Sequence, residues 1–161
     1  MNNLERTVEI TEGIRNALAA EIAIAREERV LIRNIDVDGL NQRAANRAVF
    51  NDRTAALQKA LAASLAAVAP ELGLGVHEIT LEALKQRAPL FGQRMSTVLA
   101  EVRALAAALT ELDHLNRMLG QRALSYVRAH LAVLCPRPAA YDRRGGSAAE
   151  ARPSTRVVRV L

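Results

Sequence analysis

Aromatic residues are almost absent from this chain: its 161 residues include two Phe, two Tyr and no Trp. A core must therefore be built from Leu, Val, Ile and Ala, which favours close helix packing, and no stacking platform for bases or sugars is available. Cysteine is nearly missing too. The lone Cys135 has no mate for an internal disulfide, and no Cys/His spacing matches a zinc site, which suits a reducing compartment. Long apolar runs are also lacking. The longest, Ala60 to Pro70, is broken by Ser64, flanked by Lys59 and Glu71, and far short of the ~20 residues that a membrane span requires. Met1 to Glu12 carries Glu5, Glu9 and Glu12 where a secretory signal would need a basic start and an apolar stretch. These absences point to a cytoplasmic chain with no membrane insertion.

The most informative pattern present is a heptad seam. Phe91, Met95, Val98, Val102, Leu105, Leu109, Leu112, Asn116, Leu119, Ala123, Tyr126, His130 and Val133 follow one another at alternating spacings of four and three. Sustained over about six heptads, such a 3.5-residue period keeps one stripe of a helix facing other helices. Asn116 and His130 are its markedly polar members. A single Asn in an apolar seam either fixes register against a mate placed opposite, or sits at the rim and bonds water or a loop.

The rest of the chain reads as further helices, and the fold class is all-α: an antiparallel long-helix bundle or coiled-coil hairpin. A first helix runs from about Asn3 to Arg33, with Leu4, Val8, Thr11, Ile14, Leu18, Ile22 and Ala25 on one face. Asp36 or Asp38 caps a second, which continues to about Ala69 before Pro70, Gly73 and Gly75 break it. Its apolar face is Leu40, Ala44, Ala48, Phe50, Leu57, Leu61, Leu65 and Val68, and Arg43 and Arg47 fall among the polar residues of the opposite face. Thr80 caps a short helix from Leu81 to Arg87, and Pro89 opens the long last helix, which ends near Leu134 ahead of Pro136 and Pro138. Residues 1–135 thus form a helical domain in which Val98, Val102, Leu105, Leu109 and Leu112 are expected to be buried. Residues 136–161 form a flexible, disordered tail. That tail holds six arginines against Asp142 and Glu150, accounting for four of the five net positive charges. The high pI therefore describes the tail, and the body is close to neutral.

Catalytic, cofactor and metal sites find no support. His77, His114 and His130 have no nucleophile at a suggestive spacing, and His130 with Cys135 straddles a helix end. Leu72-Gly73-Leu74-Gly75 lacks the Lys and hydroxyl of a phosphate-binding loop. Near the end of the last helix the apolar arc widens, because Leu124, Val127, Leu131 and Leu134 form a second row beside Ala123, Tyr126, His130 and Val133. One neighbouring helix cannot cover so wide an arc. Either several bundle helices cover it or it is a partner surface.

The order of features resembles the FlgN-like flagellar export chaperones. The residues that carry the likeness are Glu27-Glu28-Arg29-Val30-Leu31, the turn Asp36 with Leu40 four residues on, Asp113-x-x-Asn116 in the last helix, and Tyr141-x-x-x-Gly145 after it. Where the family often shows Asn-x-x-Asn-Gly, this chain has Asp113-His-Leu-Asn116-Arg117. The resemblance implies a cytoplasmic chaperone of type III protein export in bacterial flagellum biogenesis. Such a chain binds the C-terminal helical segment of hook-associated protein subunits, prevents their premature assembly and delivers them to the cytosolic domain of the export gate. It implies partner binding through Leu119, Ala123, Leu124, Tyr126, Val127, His130, Leu131 and Leu134, gate docking through Tyr141 beside Gly145, and no enzyme activity. A monomer or weak homodimer is expected.

Two other functions compete. A structural coiled-coil adaptor would use the seam for stable self-association, and a nucleic-acid binder would use the Arg-rich tail. The neutral body and missing aromatics weigh against the latter.

Overall fold

The computed structural model describes residues 3–134, and Cys135 and the tail fall outside the described residues. Four α-helices make up nearly all of it: α1 (Asn3–Asn34), α2 (Val37–Glu71), α3 (Leu81–Arg87) and α4 (Pro89–Leu134), with a 3₁₀ turn at Val76–Glu78. The described chain divides into two units, residues 3–123 and residues 124–134.

In the first unit the helix ends follow local chemistry. The Asp36 carboxylate accepts the Gly39 amide at 2.9 Å and caps α2, and the Thr80 hydroxyl accepts the Ala83 amide at 3.1 Å and caps α3. Both α1 and α2 close with paired backbone bonds of the Schellman type. Asp36 N donates to Leu31 O and Ile35 N to Ile32 O; Leu74 N donates to Ala69 O and Gly73 N to Pro70 O. The left-handed residue these closures require is Gly73 at the end of α2, but at the end of α1 it is Ile35, with φ of 53°. Pro70 does not end α2 as the sequence suggests. It lies inside the last turn, where a missing N–H removes a single helical bond and the chain leaves the helix two residues later.

Polar pairs set the helix directions. Thr7 bonds Ser64 and Glu28 bonds Arg43, so residue numbers rise along α1 as they fall along α2, and these two helices are antiparallel. Glu12 pairs with Arg94, Arg15 with Glu101, and Asn116 with the Ala25 carbonyl, so α4 runs parallel to α1. The result is an up-down-up bundle of three long helices. Short α3 crosses close to the start of α4: a Cβ on Gly92 would lie 2.6 Å from the backbone of Lys85.

Ile14, Leu18, Ile22, Ala25 and Leu109 form the buried centre, with Phe50, Leu57, Leu61, Val102, Leu105 and Leu112 packed around it. Of the five seam residues expected to be buried, Val98 and Leu109 are. Val102, Leu105 and Leu112 are half-buried, packed at the edge of that centre. Ala44 and Ala48, assigned to the core face of α2, are exposed. The neighbouring arginines take the inward direction instead.

Candidate partner-binding surface

The alternating seam of α1 explains that reversal. Thr7, Thr11, Ile14, Leu18, Glu21, Ala25, Glu28 and Ile32 follow a four-three spacing and all lie inward, so two carboxylates one heptad apart enter the bundle. Arg43 and Arg47, one turn apart on α2, face them. Arg43 bonds Glu21 through Nη2 and Glu28 through Nε, with the second bond at 3.1 Å. Arg47 bonds Glu21 at 2.7 Å and grips both oxygens of Asp113 on α4. Its guanidinium also lies 5.3 Å from the Phe50 ring centroid.

This chain of ion pairs joins all three long helices at one level. Glu21 is 3% exposed and Arg43 7%, so the pair is far from bulk water. Burial works against the Arg43 charge, yet the hydrogen bonds and charges of Glu21 and then Glu28 outweigh it and hold the guanidinium above its ordinary range.

One turn beyond Asp113, Asn116 is buried and saturated from α1. Its Nδ2 donates to the Ala25 carbonyl at 2.7 Å, and its Oδ1 accepts from Arg29 Nε at 3.1 Å. Neither a matching Asn nor the bundle rim is involved, in contrast to both readings of the sequence. The partner is the backbone of the parallel helix.

Beyond Gly120 the burial of the α4 seam fades. Leu119 and Ala123 are half-buried. In the second unit Val127 is half-buried, while Leu124, Tyr126, His130, Leu131, Val133 and Leu134 are all exposed. Leu131 is 54% exposed and Leu134 75%, although both belong to a helix with an apolar arc. Tyr126 and His130, one turn apart, hold their ring centroids 4.1 Å apart, and His130 Nδ1 lies 3.1 Å from the Tyr126 carbonyl. Of the eight residues predicted to bind a partner, Leu119 and Ala123 belong to the first unit and six to the second, and five of those six present exposed side chains.

A sequence model of the FlgN protein family matches residues 1–149. The chain belongs to the FlgN family. No curated protein and no solved structure matches it. Membership supports a general role as a flagellar export chaperone. The FlgN match includes the apolar end of α4, and it includes Tyr141 and Gly145, which lie outside the described residues. It stops short of Arg152, Arg156 and Arg159.

The other chemistry-bearing residues of this FlgN-family chain are dispersed. His77 lies in the 3₁₀ turn, His114 is exposed on α4, and Asp36 is occupied as a helix cap. Among the described residues no group of three or more His, Cys, Asp or Glu could hold a metal ion, and no helix is long and apolar enough to cross a membrane.

Proposed function

We propose that this FlgN-family chain is a cytoplasmic chaperone that binds the C-terminal helical segment of hook-associated protein subunits through the apolar end of α4. The observation that carries this reading is the row Leu124, Leu131 and Leu134, exposed on the same helix stretch as half-buried Val127. A partner helix laid against such a face is held by anchors at i, i+3, i+4 and i+7, the spacing of Leu124, Val127 and Leu131. Covering those side chains with the subunit's own assembly helix keeps that helix from its polymerisation contacts. Delivery to the cytosolic domain of the export gate then falls to Tyr141 with Gly145, which follow the last helix in sequence, since an aromatic side chain is well suited to anchor a segment in a pocket. The free chain is a monomer or weak homodimer.

The test is a capture assay with purified hook-associated subunits. Leu124→Ser with Leu131→Ser abolishes capture while circular dichroism stays unchanged, and wild-type capture by that double variant removes the arc from the binding site. Tyr141→Ala leaves capture intact and weakens gate docking and export. Equal damage to capture and docking would show that Tyr141 is not a delivery element. If the arc instead drives stable self-association, sedimentation shows a dimer at low concentration that the double variant dissolves, and the adaptor function takes precedence.

A further inference from the structure

A cavity of about 500 Å³ opens between the last turns of α1, the first turns of α2 and the middle of α4. Its walls include Arg43, Arg47, Asn116, Arg117 and Gly120. Three observations about it are independent of one another. First, the charges do not balance: Arg29, Arg43, Arg47 and Arg117 belong to the cavity or to the bonds that reach its walls, and among the described residues the carboxylates in those walls and bonds are Glu21, Glu28 and Asp113. The cluster is one carboxylate short. Second, donors are left over. Arg43 is 7% exposed, and its Nη1 is a buried side-chain nitrogen without a hydrogen-bond partner. Arg117 forms no hydrogen bond or ion pair with any described residue. The Arg43 donor is buried and therefore costly unless satisfied, whereas Arg117 is exposed. Third, Gly120 stands in the interior of a 46-residue helix, where glycine is disfavoured, and a Cβ built on it meets nothing within 4 Å. Packing within the described chain gives no reason for a glycine there. An incoming backbone would.

We infer that this cavity receives a carboxylate side chain, Asp or Glu, carried on a helix of the bound subunit. The helix approaches α4 closely over Gly120, as small residues allow between packed helices, and its carboxylate takes the free donors of Arg117 with a second hydrogen bond from Arg43 Nη1 once the cavity wall yields to it. The arriving charge completes the cluster. This inference rests on the chaperone reading for the identity of the partner, but not for the chemistry of the cavity.

Two measurements on the full chain separate these. In the first, amide chemical shifts are followed by NMR as N-acetyl-glutamate amide is added at constant ionic strength, with the glutamine analogue as a neutral control. Saturable shifts at Asn116 and Gly120 are expected with the glutamate probe alone, and Arg117→Ala eliminates them. No glutamate-specific shift overturns the inference, whatever the second measurement gives. In the second, a hook-associated subunit is titrated. Arg117→Ala and Gly120→Leu each weaken binding at least tenfold with helicity unchanged, and replacing one acidic residue of the subunit by its amide abolishes the further effect of Arg117→Ala. Wild-type affinity in both variants overturns the inference as a subunit contact. If the wild-type chain itself binds no subunit, the chaperone reading falls, the subunit assignment falls with it, and the first measurement alone decides whether the cavity is a carboxylate site.

Discussion

Asn116 on α4 donates a hydrogen bond to the backbone carbonyl of Ala25 on α1 at 2.7 Å, and its own carbonyl oxygen accepts from Arg29 one turn further along α1. Backbone carbonyls recur at every turn of α1, so the residue-specific element is the bond from Arg29. Sliding α4 by a turn would separate the Asn116 oxygen from Arg29. The bond therefore contributes specificity as well as stability.

Asn116→Ala removes the donor to Ala25 and the acceptor of Arg29 together. The expected loss is about 1 to 3 kcal/mol, the range for leaving a buried polar group unsatisfied. Urea unfolding monitored by circular dichroism measures it. An unchanged midpoint would show that the α1–α4 register is set elsewhere.

The buried pair of Glu21 and Arg43 predicts an asymmetry between single and double substitution. Glu21→Gln leaves Arg43 buried beside a neutral amide, and breaking a buried pair from one side costs about 3 to 5 kcal/mol. Replacing both residues by Met costs less than Glu21→Gln alone, because the most deeply buried charges are removed together, Arg47 keeps Asp113, and Glu28, which loses Arg43, is partly exposed. Equal or greater loss in the double variant would mean that the pair itself, and not the penalty of orphaning one charge, dominates this level of the bundle.

Core substitutions should rank by burial along the same seam. Leu109 is buried at 6% exposure in the centre formed by Ile14, Leu18, Ile22 and Ala25, while Leu105 is half-buried at the edge. Leu109→Ala is expected to cost about 2 to 5 kcal/mol, and Leu105→Ala less, because the edge position relaxes and loses fewer contacts. Equal melting temperatures for the two variants would contradict this ranking.

Much of the architecture was legible because it depends on local signals. The four-three spacing of α4, the caps Asp36 and Thr80, and Pro89 at a helix start each act within a few residues, and the helices lie close to where those signals put them. The ion-pair network was not legible in that way. Arg43 and Arg47 look like solvated residues of a polar face, and only the matching carboxylates Glu21 and Glu28, a heptad apart on another helix, turn that face inward. The available signal was a carboxylate recurring in the α1 seam, since Glu21 and Glu28 continue the spacing of Leu18 and Ala25. Asn116 was recognised as unusual, but its partner is a main-chain carbonyl, which no side-chain pattern encodes. For the proposed partner surface, the widened apolar arc could be read from spacing, whereas the exposure of Leu124, Leu131 and Leu134 is a tertiary property.

The turn between α1 and α2 offers a stabilising substitution. Ile35 occupies the left-handed position of the helix closure with φ of 53°, a conformation in which a β-branched side chain is strained, and it is 46% exposed, so it contributes little packing in return. At the end of α2 the equivalent position is Gly73, with φ of 65°. Relief of a left-handed conformation is worth about 1 to 2 kcal/mol, and the added freedom of glycine in the unfolded chain offsets about 0.5 to 1 kcal/mol of that. Ile35→Gly should therefore raise the unfolding free energy by up to roughly 1.5 kcal/mol by this balance, seen as a higher urea midpoint at unchanged slope. Ile35→Asn should also gain, because Asn tolerates the left-handed region, whereas Ile35→Ala keeps the Cβ that causes the strain and gains little. The reciprocal Gly73→Ala should destabilise the chain by about 1 kcal/mol. If Ile35→Gly instead lowers the midpoint, the Ile35 side chain makes a stabilising contact that outweighs its backbone strain.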